Sequence, residues 1–121
     1  MPTRSLMHPP EFSLAEAPLR GGGVRLAVTG DLDIATVPAL RERLAAIADA
    51  GPRRLLLDLR GVSFMDSTAL AAVIHARKKL GDDGRMSLVI PPDSYPRLIL
   101  EVAGLAGILD VVETLDDAMS A

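Results

Sequence analysis

Asp66, Ser67 and Thr68 stand between the apolar segment RLLLDLRGVSF and the stretch AVIHARKKL, so a carboxylate and two hydroxyls fall where two buried-looking segments meet. This triplet suits two chemistries. Asp and Ser at the start of a helix accept hydrogen bonds from N–H groups that have no partner inside it, and Asp66 as an N-cap accounts for the pattern by itself. The same spot also favours negative charge, because the helix dipole and the free N–H groups point there. A phosphate on Ser67 would therefore be tolerated by its own domain while adding about −1.5 to −2 charges to the surface.

Other chemistries find less support. Ser67 as a nucleophile needs a base, and the histidines are His8 and His75. His75 lies eight residues further on, which in a helix is about 12 Å at 1.5 Å per residue, too far to serve. His8 stands in a proline-rich start, and no G-x-S-x-G elbow occurs. The absence of cysteine removes thiol catalysis, thiolate metal sites and disulfides together. Asp31, Asp33, Asp58 and Asp66 all fall near expected strand ends. They lack calcium-loop spacing and paired His or Cys ligands, so they read as solvated loop and capping acids. Gly21-Gly22-Gly23 is followed by a strand-like VRLAVTG and no Gly-Lys-Ser/Thr, which makes it a turn and not a phosphate loop. The chain is expected to be no enzyme and to hold no metal or cofactor.

The elements that would position the triplet are readable from periodicity. Residues 11–19 alternate weakly, as an edge strand would, and Pro18 with the three glycines closes a hairpin onto VRLAVTG. Val37, Leu40, Leu44 and Ile47 recur at helical spacing after Pro38, and Gly51-Pro52 stops that helix. RLLLDL (54–59) is continuously apolar, as a strand covered on both faces would be. The spacing predicts a helix from about Asp66 to Leu80, with Ala69, Val73, Ala76 and Leu80 on one side and Leu70 and Ile74 beside them. Thr68, Ala71, Ala72 and His75 then form a flat, small-featured outer face that another protein could approach. RMSLVI (85–90) is a further strand. A helix after Ser94 carries Leu98 and Val102 and ends at Gly104. ILDVV (108–112) is a short last strand, and Thr114-Leu115-Asp116-Asp117 resembles a capping-box start to a C-terminal helix. The expectation is an α/β fold, a mixed central sheet of four to five strands with about four helices. It forms one domain over residues 11–121 behind a flexible tail of residues 1–10.

Composition bounds the rest. A chain of 121 residues with 49% apolar content can bury a core without staples. Aromatics are limited to Phe12, Phe64 and Tyr95, and the net charge is −3. Nucleic-acid binders present basic faces and aromatic platforms, so that class is set aside. The longest apolar run, Ala69 to Ile74, is far short of the ~20 residues that cross a bilayer, and the start has no block of signal-peptide length. A cytoplasmic protein without direct membrane insertion is expected.

VRLAVTGDLDIATVPALRERL, LLLDLRGVSFMDSTALAAVIHARKKL and PRLILEVAGLAGILDVVETLDDAM together resemble the STAS-domain family of anti-sigma factor antagonists, in order, from about residue 12 to 120. The most specific piece is F-M-D-S-T-x-L after a DL strand. The resemblance implies that Ser67 is a phosphorylation site. It also implies that Asp33, in Gly30-Asp31-Leu32-Asp33, contacts a partner. Asp66, Thr68, Ala71, Ala72 and His75 would share that surface. Ala69 stands where the family usually carries glycine. The implied mechanism is a switch. The unphosphorylated protein binds an anti-sigma factor that is itself a serine kinase, freeing a sigma factor; phosphorylation of Ser67 from ATP releases the kinase, and a serine phosphatase resets the protein. The family resemblance also admits a non-switching role as accessory subunit of a membrane lipid-transport ATPase.

Overall fold

Gly21, Gly22 and Gly23 all adopt positive φ, at 86°, 103° and 105°, and this lets the chain reverse within a few residues. The Leu19 N–H donates to the Gly23 carbonyl at 3.1 Å and the Gly22 N–H to the Leu19 carbonyl at 3.0 Å. A side chain at Gly23 would also meet the Arg54 carbonyl oxygen at 2.6 Å, so the position excludes any larger residue. The turn joins strand β1 (Ser13–Pro18) to β2 (Val24–Leu32), which pair antiparallel.

The computed structural model describes residues 11–120; the expected tail at residues 1–10 lies outside them. Strands β3 (Arg54–Met65), β4 (Arg85–Val89) and β5 (Asp110–Val112) complete a five-stranded sheet ordered β1-β2-β3-β4-β5, with β2 to β5 parallel. Helices α1 (Val37–Asp49), α2 (Ser67–Leu80) and α3 (Tyr95–Val102) connect the parallel strands, and α4 (Leu115–Ser120) follows β5. Sequential parallel strands joined by crossovers of one hand put the connecting helices on one face. The main core bears this out: Leu40 and Leu44 of α1, Val73 and Ala76 of α2 and Leu100 of α3 close over Leu26, Leu57 and Leu88 of the sheet. On the opposite face Leu56 and Val89 meet Ala118 of α4, with Leu19, Val112 and Leu115 packed against them. Thr114 opens α4 by accepting the Asp117 N–H at 3.0 Å.

One element differs from the sequence reading, and another shows a direction that the reading left open. β3 does not stop at Leu59 but runs to Met65. Its pairing with β2 skips a residue twice, between Ala27↔Asp58 and Thr29↔Gly61 and between Gly30↔Val62 and Asp31↔Phe64. Each bulge inserts an extra residue and resets the two-residue alternation. Leu59, Val62 and Met65, three apart, thereby all reach the core, while Ser63 and Phe64 stay outside. Gly61 fits the first bulge because a side chain there would stand 2.7 Å from the Thr29 methyl and 3.0 Å from the Val28 carbonyl oxygen. In α3, Leu98 and Val102 point to solvent, and the core is served by Leu100 and Pro96. Helical spacing reveals a stripe and not which way it faces.

Candidate functional site

The second bulge delivers the chain to the β3–α2 seam. There the Asp66 N–H donates to the Leu32 carbonyl at 3.2 Å, pinning the seam to the end of β2. Asp66 itself is extended and caps α2. Its Oδ1 accepts the backbone N–H of Thr68 at 2.9 Å, that of Ala69 at 3.4 Å, and the Thr68 hydroxyl. The Thr68 hydroxyl first, and the Thr68 and Ala69 N–H groups after it, hold the Asp66 carboxyl below the usual carboxylate range. The two hydroxyls of the triplet are thus unequal. Thr68 is half-buried and engaged, whereas Ser67 is exposed at the first helical position and makes no side-chain hydrogen bond to any described residue.

Asp33 follows β2 and builds its own turn. Its Oδ1 accepts the N–H of Ala35 at 2.9 Å and of Thr36 at 3.2 Å, and its N–H donates to Thr36 Oγ1 at 3.0 Å. The Thr36 hydroxyl in turn donates to the Asp31 carbonyl at 2.7 Å. This local capping was not foreseen from the sequence, although Asp-x-x-Thr ahead of a helix is a recognisable signal for it. It occupies one carboxylate oxygen; Oδ2 takes no partner among the described residues.

Along α2 the expected outer face is only partly present. Ala71 and His75 are exposed, but Ala72 is 2% exposed and belongs to the core. Ala72 lies three residues after Ala69 and four before Ala76, and the helix period aligns all three on the side that meets the sheet and α1. Ala69 is fully buried as well, so its methyl group turns into the core and adds nothing to the surface around Ser67.

Asp58, read from the sequence as a solvated acid, is buried on the α4 side of the sheet. It accepts from Arg25 Nη2 at 2.8 Å, Arg60 Nε at 2.9 Å, Arg60 Nη2 at 2.8 Å and the Arg60 backbone N–H at 3.1 Å. Burial pushes its carboxyl up, but the Arg60 and Arg25 hydrogen bonds outweigh that and hold it below the usual range. This clamp ties β2 to β3 below the seam.

Sequence reasoning missed the apolar surroundings of Ser67. Phe64, three residues before it, is 39% exposed and stacks on Tyr95, with ring centroids 5.3 Å apart and planes 14° from parallel. Ile34, beside Asp33, is exposed too. Phe64 carried a signal in standing directly before Met65-Asp66-Ser67, but its outward direction depends on the bulge.

Comparison with known proteins agrees with this architecture. Residues 15–118 match the STAS domain family. The anti-sigma-B factor antagonist of Staphylococcus aureus is 31% identical over 86 residues, covering 71% of this chain and 80% of the relative. The anti-sigma-F factor antagonist RsfB of Mycobacterium tuberculosis is 27% identical over 95 residues, covering 78% and 77%. The crystal structure of an anti-sigma factor antagonist from Mycobacterium paratuberculosis superposes with a TM-score of 0.84 at 27% identity, covering 91% of this chain and 92% of that one. With a five-stranded mixed sheet and four helices among its described residues, and an Asp-capped serine at the head of α2, the chain belongs to the STAS-domain family of anti-sigma factor antagonists.

Proposed function

We propose that this protein is an anti-sigma factor antagonist that works as a switch: unphosphorylated, it binds an anti-sigma factor serine kinase and frees a sigma factor. In the kinase complex the Ser67 oxygen attacks the γ-phosphorus of ATP. The new O–P bond forms as the bond to the β,γ-bridging oxygen breaks, ADP leaves, and the hydroxyl proton passes to a base of the kinase. Phosphoserine releases the kinase until a serine phosphatase hydrolyses it. Such a role places the protein in the cytoplasm, as a substrate and not a catalyst. Asp33, Asp66 and Thr68 lie around the acceptor, and Asp33 and Ser67 are the contacts of first importance.

One observation carries the reading: Ser67 offers an exposed, unengaged hydroxyl at the first position of a capped helix, the end whose dipole favours added negative charge. The test is titration calorimetry against the cognate anti-sigma factor serine kinase. Ser67→Asp is expected to weaken binding about a hundredfold, ~2.7 kcal/mol, with an unchanged melting temperature, and Ser67→Ala to bind and resist release by ATP. Ser67→Asp binding as tightly as wild type would overturn the switch and favour a non-switching accessory role. Among the described residues no helix is long and apolar enough to cross a membrane, so in that role the chain would dock on a transporter's own domain.

A further inference from the structure

Ile34, Phe64 and Tyr95 are exposed by 79%, 39% and 41%, and they stand at the carboxyl ends of three adjacent strands, β2, β3 and β4. Leu98 and Val102, exposed by 53% and 77%, extend the row along α3. Tyr95, Leu98 and Val102 recur at i, i+3 and i+7, which is the spacing of one helical stripe, here on the side away from Leu100. Single exposed apolar residues are ordinary, but a contiguous row containing two stacked rings is a patch of the kind that marks a protein contact. A surface hollow of about 450 Å³ opens beside it, lined by Pro92, Asp93, Ser94, Tyr95, Leu98 and Glu101.

Ser67 follows Phe64 by three residues and so adjoins this row. The other direction, down α2, is different in kind. Beyond Ala71 and His75 that helix ends in Arg77, Lys78 and Lys79, the last paired with Asp49 at 2.9 Å, whereas the apolar row is edged by Asp31, Asp33 and Asp93, with Glu101 paired to Arg97 at 3.4 Å. A partner with an apolar centre and a basic rim complements the row and is repelled by the cationic end of α2.

We propose that the protein that reads Ser67 docks across the ends of β2, β3 and β4 onto α3, anchored on the Phe64–Tyr95 stack and Leu98, and not down α2 over Ala71 and His75. This rests on Ser67 being the acceptor of a kinase partner, and it adds the means of release. A phosphate on Ser67 would have to be buried against an apolar contact and beside the Asp66 carboxylate, and stripping water from a doubly charged group there is costly.

The experiment compares Leu98→Glu and Tyr95→Ala with Ala71→Glu and His75→Glu in the full chain. It measures affinity for the anti-sigma factor kinase by calorimetry, melting temperature, and the rate of Ser67 phosphorylation. Leu98→Glu is expected to weaken binding at least tenfold and Tyr95→Ala severalfold, both with unchanged melting temperature, while His75→Glu stays within threefold of wild type. Wild-type affinity in Leu98→Glu and Tyr95→Ala with loss in Ala71→Glu and His75→Glu would overturn the proposal. A Leu98→Glu variant that dissociates a dimer of this chain but keeps its kinase affinity would overturn it as well, assigning the row to self-association. A silent Ser67→Asp refutes the switch itself; an active Ser67→Asp beside a silent Leu98→Glu refutes only the footprint.

Discussion

Asp66 Oδ1 takes both the Thr68 backbone N–H, at 2.9 Å, and the Thr68 hydroxyl, so the carboxylate holds the second hydroxyl of the pair inward while the first faces solvent. A kinase meeting this surface has one hydroxyl to work on. Incubation with kinase, ATP and magnesium is expected to place phosphate on Ser67 and none on Thr68, read by peptide mass spectrometry. Ser67→Ala should abolish the signal and Thr68→Ala should retain it. Phosphate found on Thr68 would mean that the cap opens in the complex.

Asp33 has two oxygens with different duties. Oδ1 caps the turn before α1 through the Ala35 and Thr36 N–H groups, and an amide oxygen can do the same. Asp33→Asn is therefore expected to keep the melting temperature and lose partner affinity through its missing charge. Asp33→Ala removes the cap as well and should cost about 1 kcal/mol of stability in addition to affinity. Calorimetry and thermal melts on both variants separate the two duties. Equal affinity in Asp33→Asn and wild type would make the residue a cap alone.

Acid should weaken the fold by way of Asp58. An aspartate in an unfolded chain titrates near 3.9, and the Arg60 and Arg25 hydrogen bonds bring Asp58 lower than that in the fold. The unfolded form then binds more protons through this window. The stabilisation is complete above about pH 5 and drains away as pH falls through the ordinary carboxylate value toward the folded one. Urea melts at pH 7 and pH 3 should show wild type losing stability. Asp58→Asn should be about 1–3 kcal/mol weaker at pH 7 with a flatter profile. The acid sensitivity it keeps belongs to Asp66, whose carboxyl is lowered too.

Much of the scaffold was legible because its signals are local. The spacing of Val37, Leu40, Leu44 and Ile47 named the buried side of α1, and Asp66, Ser94 and Thr114 each marked a helix start that the structure caps. The misreadings share a physical cause, since each depended on what lies across from the residue. Alanine has no polarity to declare a side, so Ala72 passed for surface. Leu98 and Val102 marked a helix by their spacing, but the spacing did not tell that they face outward. Asp58-x-Arg60 share a strand face two residues apart, a readable hint, but Arg25 joins them only through the β2–β3 register. For the candidate site, Ser67 and its cap were visible in the chain. The rings beside it were not, because two skipped pairings in β3 decide the direction of Phe64 and Tyr95 meets it from another element.

Those skipped pairings make β3 a strand that counts. Removing a single residue between Asp58 and Met65 with both bulges kept would move every following residue back one place in the ladder, carrying Met65 to the outward place opposite Asp31 and bringing Asp66 opposite the buried Leu32. The cap would then reach the Leu32 carbonyl out of phase. Ser67 is held in place less by any neighbour it touches than by the length of the ruler behind it, and relatives that vary freely in letters along this stretch should hold its spacing constant.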